Sequence, residues 1–154
     1  MDITTEESMR GKYLCFRVSD GDFGIEINYV TEIMKMQDIT PVPNTNGYVK
    51  GIINMRGTLV PVIDMRTRFG QGAINYSERT CIIVLSMDGV EIGLIVDEIQ
   101  EVMEIENSVV QTPPATVSPE FGSANFVKAI GYPNSTIIQI LDINKIFETD
   151  EIPA

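Results

Sequence analysis

Two aspartates, Asp64 and Asp142, stand at matching places in VPVIDMRTRF and IIQILDINKIF, and two glutamates, Glu32 and Glu101, match in another pair of segments. Paired carboxylates are the raw material of general acid and base catalysis. Each aspartate, however, precedes a short helical run, MRTRF or INKIF. There an Asp side chain accepts hydrogen bonds from the free N–H groups of the first turn, so an N-cap role accounts for both. Glu32 and Glu101 are equivalent positions of a repeat, as scaffold residues would be, and no nucleophile, metal cluster or phosphate loop accompanies them. The chain has no histidine, the commonest general base and metal ligand and the usual phosphoacceptor of a two-component kinase. Cys15 and Cys81 sit in apolar β-like runs, YLCFRV and RTCIIVL, without CxxC spacing, and are expected to be inert core thiols. No catalytic residue, metal or cofactor is therefore expected. A small enzyme using Glu32 and Glu101 is the rival reading, and tight Mg²⁺, Mn²⁺ or Zn²⁺ binding would favour it.

The chain of 154 residues is the length of one domain, and one of that size buries roughly 70% of its unfolded surface. A hydrophobic content of 44% and a charged content of 21% describe a folded protein. The net charge of −11 argues against nucleic acid, whose phosphates need a basic groove, and against docking on anionic lipid. The start MDITTEESMR lacks the features of a signal peptide, and no apolar run approaches the roughly 18 residues of a membrane span. A soluble cytoplasmic protein with no direct membrane insertion is expected.

The elements that must position these residues read as many short strands. YLCFRV and FGIEI flank Asp20 and Gly21, while CIIVLSM and VEIGLIV flank Asp88 and Gly89; Asp-Gly between alternating runs is a strong hairpin signal. GIEINYVTEI from Gly24 aligns with GLIVDEIQEV from Gly93 at an offset of 69, matching Val30 to Ile99, Glu32 to Glu101 and Ile33 to Val102. VPVIDMRTRF aligns with the closing segment at an offset of 78, matching Asp64 to Asp142 and Phe69 to Phe147. Prolines mark equivalent strand starts, Pro41 and Pro43 against Pro113 and Pro114. The pattern predicts an all-β fold with short helices, built as two similar small barrels packed together. The expected division is a flexible N-terminus 1–11, a first barrel 12–76 and a second barrel 79–148. A hinge is expected over 70–78 and a flexible loop from Pro114 to Asn125.

Function is expected where the copies differ. GIINMRGTLVPV in the first answers to AIGYPNSTIIQI in the second, so only one turn presents a guanidinium, that of Arg56. It is either a solvated turn charge, with Gly57 supplying a positive φ, or an anchor for a partner's carboxylate. Charge is segregated as well. From Ile39 to Ser77 the bases Lys50, Arg56, Arg66 and Arg68 face the single acid Asp64, whereas Asp88 to Glu106 holds seven acids and no base. Two electrostatically distinct surfaces would suit an adaptor between two partners. Val30, Ile33, Met34 and Met36, with Ile99, Val102 and Met103, either close the barrels or line a groove for a partner helix.

The run TPVPNTNGYVKGIINMRGTLVPVIDMRTRFG, with the DG hairpins, VDEIQEV and ILDINKIF, resembles the signature of the CheW family over about residues 12 to 148. The combination of NxRG, VPVxDxR and a closing LDIxK carries the resemblance; Met55 and Met65 stand where leucine is usual. It implies a single domain of two SH3-like five-stranded β-barrels around a shared core. It also implies a non-enzymatic adaptor, monomeric in isolation and assembled in receptor arrays. Its implied partners are the cytoplasmic hairpin tip of chemotaxis receptors and the regulatory domain of the histidine kinase CheA. The implied receptor contacts are Val30, Glu32 and Ile33, then Asn54, Arg56 and Gly57, with Ile99 and Val102 completing a groove between lobes. No kinase-binding residue is assigned. The same coupler in a non-motility pathway, such as surface sensing or pilus control, is the alternative.

Overall fold

The computed structural model describes residues 11–42, 49–72, 75–112 and 126–146. The N-terminal tail, Pro43, Pro113, Pro114, the loop to Asn125 and Phe147 lie outside the described residues. In chain order the strands are β1 (Lys12–Val18), β2 (Gly21–Glu26), β3 (Val30–Lys35), β4 (Val49–Met55), β5 (Thr58–Asp64), β6 (Cys81–Met87), β7 (Val90–Val96), β8 (Glu98–Glu104), β9 (Val110–Gln111), β10 (Val127–Gly131) and β11 (Ile138–Leu141). Short helices follow the closing strand of each half: α1 (Met65–Arg68) and α2 (Ile143–Ile146).

The strands form two sheets, sheet I in the order β3-β6-β7-β5-β4 and sheet II in the order β8-β1-β2-β11-β10-β9. Neither sheet comes from one contiguous half, which corrects the expected division at 76 and 79. The hairpin β1–β2 of the first repeat joins sheet II, and the hairpin β6–β7 of the second joins sheet I. The junctions are the two parallel pairings, Ile140 with Gly24 in sheet II and Val62 with Gly93 in sheet I. The repeat offsets of 69 and 78 map one junction onto the other. Glycine leaves room for the close approach there: a Cβ on Gly93 would lie 3.0 Å from Ile82 Cγ2, and one on Gly24 would lie 3.1 Å from Ile138 Cγ2, so either neighbour would have to give by a few tenths of an ångström.

The exchange buries strands that are apolar on both faces. Along β6, Ile82 and Val84 point into the interior of sheet I with Ile53, Val60, Val62 and Ile95, whereas Ile83 and Leu85 point the other way. β1 does the same, with Cys15 facing Ile105 and Ile138 inside sheet II and Leu14 and Phe16 facing outward. The outward faces meet in one central core. Phe23 from sheet II, Phe69 after α1 and Phe126 before β10 form a chain of rings at 5.1 and 5.7 Å. All-β architecture with short helices, two barrel interiors and a core common to both is thus as expected.

Smaller expectations divide. The first tight turn is Ser19–Asp20 rather than Asp20–Gly21, because Val18 pairs with Gly21 in the register that sets Phe16 opposite Phe23. Both aspartates cap: Asp64 Oδ1 accepts the Arg66 N–H at 2.9 Å and Asp142 Oδ1 accepts the Asn144 N–H at 2.9 Å. The described part of the expected hinge is tied down. Tyr76 donates its hydroxyl to Asp64 Oδ2 at 2.7 Å and lies under the Lys50 ammonium; burial, then the hydrogen bond to Asp64, raise its pKa.

Two composite sheets imply one cooperative unit. Full-length protein should unfold in a single urea transition, while residues 12–76 alone should show none by circular dichroism. Phe69→Ala should lower stability by about 3–5 kcal/mol.

Candidate functional site

The NMRG segment closes β4 onto β5. Met55 pairs with Thr58, leaving a two-residue turn at Arg56 and Gly57, with φ of 51° and 90°. Positive φ at both positions matches the right-handed strand twist of a hairpin. Gly57 meets that demand without a Cβ, whereas Arg56 holds a left-handed conformation. Asn54 supports the turn by accepting the Gly57 N–H on Oδ1 at 2.7 Å. In the second copy the ladder stops at Gly131 and Ile138, because Pro133, at the position of Met55, has no N–H to donate.

Arg56 reaches out of this turn to the opposite edge of its own sheet. Both terminal nitrogens of Arg56 donate to Glu32 Oε1 on β3, Nη1 at 2.8 Å. Since β3 and β4 are the two edges of sheet I, the ion pair shows how far the sheet curls toward closure. The guanidinium is therefore committed within the chain, although its side chain remains 69% exposed. Sequence reasoning set Glu32, Asn54, Arg56 and Gly57 together as partner contacts; the structure unites them as one braced edge.

The remaining predicted residues lie on the edge strands β3 and β8. Exposure alternates along β3, with Val30 half-buried against the central core and Ile33 at 44%. The equivalent Ile99 packs on the same core, and Val102 is 51% exposed. Val30 and Ile99 are thus packing residues, while Ile33 and Val102 offer apolar surface. Met34 and Met36 fill the interior of sheet I, and Met103 that of sheet II. A bulge interrupts both strands at matching places, between Val30 and Glu32 and opposite Cys15 and Phe16, twisting each edge locally. β3 and β8 are edges of different sheets.

Of the four bases of the expected basic face, Lys50 and Arg56 stay exposed, whereas Arg66 and Arg68 do not. Arg56 is paired with Glu32, Arg66 is bound to Asp97 from the acidic stretch, and Arg68 is buried over the Phe126 ring at 4.5 Å. These three charges are engaged within the chain, by partners from distant segments that a window of sequence does not contain. The acidic stretch stays exposed at Gln100, Glu101, Val102 and Glu104. At the end of β8 a cavity of about 430 Å³ is lined by Tyr13, Glu26, Glu104 and Glu106. Burial, then the Glu26 carboxylate, raise the Tyr13 pKa. Burial also pushes the Cys15 thiol up to about 11, and Glu101 across the strand pair adds to the shift, so Cys15 stays a thiol. Among the described residues no group of His, Cys, Asp and Glu could hold a metal, and no helix is long and apolar enough to cross a membrane.

Sheet I thus presents the edge strand β3 braced to the β4–β5 turn, and sheet II the edge strand β8, each with one exposed large apolar residue, Ile33 and Val102. The CheW-like domain family model matches residues 12–151. The chain is 30% identical to the chemotaxis protein CheW of Klebsiella aerogenes, over 95% of this chain and 87% of that one. It is 31% identical to that of Thermotoga maritima, over 88% and 86% respectively. The solved structure of the scaffolding protein TtCheW from Thermoanaerobacter tengcongensis superposes with a TM-score of 0.82 at 33% identity, covering 92% of this chain and 94% of that one. The chain belongs to the CheW family of chemotaxis scaffolding proteins and is a coupling adaptor, not an enzyme.

The Glu32–Arg56 pair is largely solvated, so a double-mutant cycle with Glu32→Gln and Arg56→Gln should give a stability coupling of about 0.2–1 kcal/mol. Urea melts at low salt should show it, and about 1 M NaCl should erase most of it.

Proposed function

We propose that this chain couples methyl-accepting chemotaxis receptors to the histidine kinase CheA, holding the receptor's cytoplasmic hairpin tip and the kinase regulatory domain on separate surfaces. The observation that carries this reading is the exposure of Ile33 and Val102 at the centres of two equivalent edge strands, one beside the Glu32–Arg56 brace. The receptor tip is a helical hairpin, and an apolar strip on each edge suits the apolar face of a helix. Asn54 and Gly57 fix the turn, and Arg56 keeps enough exposure to meet a partner carboxylate while paired. Val30 and Ile99 set the height of each strip by anchoring it to the core.

The mechanism involves no covalent change. A partner can shift the other only through differential contacts with two states of the assembly, and array geometry supplies avidity beyond each single contact. The kinase domain docks outside the receptor strips, and the complete complex lies at the membrane only through the receptor.

Co-elution in size-exclusion chromatography tests this reading, using a receptor cytoplasmic fragment and a CheA regulatory domain. Wild type should bind both. Ile33→Asp and Val102→Asp should each weaken receptor binding by about 2 kcal/mol or more, roughly thirtyfold, and leave kinase binding intact. Arg56→Glu should lose the receptor, and adding Glu32→Arg separates brace from contact: restored binding assigns Arg56 to bracing, continued loss to direct contact. Wild type binding neither partner would refute the proposal.

A further inference from the structure

The chain crosses between the sheets by two equivalent routes, β2 to β3 and β7 to β8, and the two crossings are built differently. Between β7 and β8 a single residue, Asp97, separates strand from strand. Its N–H donates to the Arg17 carbonyl at 3.0 Å. Its Oδ2 accepts the Ser19 N–H at 2.7 Å. Arg66 donates Nε to the two carboxylate oxygens at 3.1 and 3.0 Å and brings Nη2 to 2.7 Å from Oδ2. One carboxylate thereby joins α1 on sheet I, the β1–β2 turn on sheet II and the crossing itself, with the paired geometry that makes Arg–carboxylate contacts strong.

The β2–β3 crossing has no such clasp. It spans three residues, Ile27–Tyr29, in a 3₁₀ turn without a side-chain cap. The offsets of 69 and 78 put Asn28 at the place of Asp97 and Asn144 at the place of Arg66. Both are exposed, and neither side chain makes a hydrogen bond among the described residues. Strand pairing also starts later: β8 pairs from Glu98, opposite Arg17, whereas β3 pairs only from Val30, opposite Leu85. Crossing length, side-chain clasp and ladder length all point the same way.

We propose that the Arg66–Asp97 clasp is a fixed pivot between the two sheets and that adjustment between them is carried by the β2–β3 crossing. The device is asymmetric. β8 keeps its place against both sheets, while the start of β3, which leads to Glu32 and Ile33, shifts relative to it. Arg66 and Asp97 are positioning residues, and the proposal holds whatever partner the edge strands bind.

Amide hydrogen exchange on the full chain, corrected for intrinsic rates, tests it. In wild type, 27–30 should exchange about tenfold or more faster than 97–99. Asp97→Asn should accelerate 97–99 and Ser19 and leave 27–30 unchanged. Transplanting the clasp as Asn28→Asp with Asn144→Arg should slow 27–30, and neither single change should. Equal exchange at the two crossings of wild type would overturn the proposal. So would an Asp97→Asn variant that speeds both crossings alike, as plain destabilisation does, or one that leaves the asymmetry intact. Should Asp97→Asn fail to fold, the wild-type and transplant comparisons decide.

Discussion

The parallel pairing of β2 with β11 and of β5 with β7 is the constraint on which the rest of the molecule depends. Each parallel junction joins strands far apart in the chain, and each commits a hairpin from one repeat to the sheet of the other. Once that exchange is made, β1, β2, β6 and β7 have both faces covered, one by a barrel interior and one by the central core. Their continuous apolar sequences are then fully used. The outer strands β3 and β8 are left at the edges, covered on one side only, which is why exposed residues appear along them: alternately in β3, and in a run from Gln100 to Val102 in β8.

Duplication supplies a symmetric frame, and the differences between the copies make it directional. The β4–β5 turn is tight because Asn54, Arg56 and Gly57 can build it, while the equivalent loop is loosened by Pro133. Arg66 and Asp97 bind where Asn144 and Asn28 do not. Lys35 ends β3 where Glu104 ends β8, so the two edges offer apolar centres of similar kind in different electrostatic settings. A protein that must hold two unlike partners in a set orientation benefits from such unequal edges.

Much of this was legible in the residues. The hairpins, the repeat offsets and both N-caps follow from local rules, and Asp64 and Asp142 behave as their positions before short helices require. The exchange of hairpins was not legible, because parallel pairing between distant segments leaves no mark in either segment alone. The same limit explains Arg56: its type and turn pointed outward to a partner, while the carboxylate that engages it stands on β3, brought near only by curling of the sheet. Arg66 and Arg68 read as surface charge in a window of neighbours, and their partners, Asp97 and the Phe126 ring, come from the other repeat. For the candidate site, the repeat equivalence of Ile33 with Val102 and of Val30 with Ile99 reappears on the edge strands, the first pair exposed and the second packed against the central core.

The central claim is that two partners occupy separate surfaces of one scaffold at the same time. Isothermal titration of a receptor cytoplasmic fragment into this protein, first alone and then saturated with a CheA regulatory domain, tests it most directly. Separate surfaces predict that receptor affinity in the saturated state equals or exceeds that of the protein alone. Loss of receptor binding on saturation would mean that the two partners compete for one surface, and the account of a two-faced coupler would be wrong.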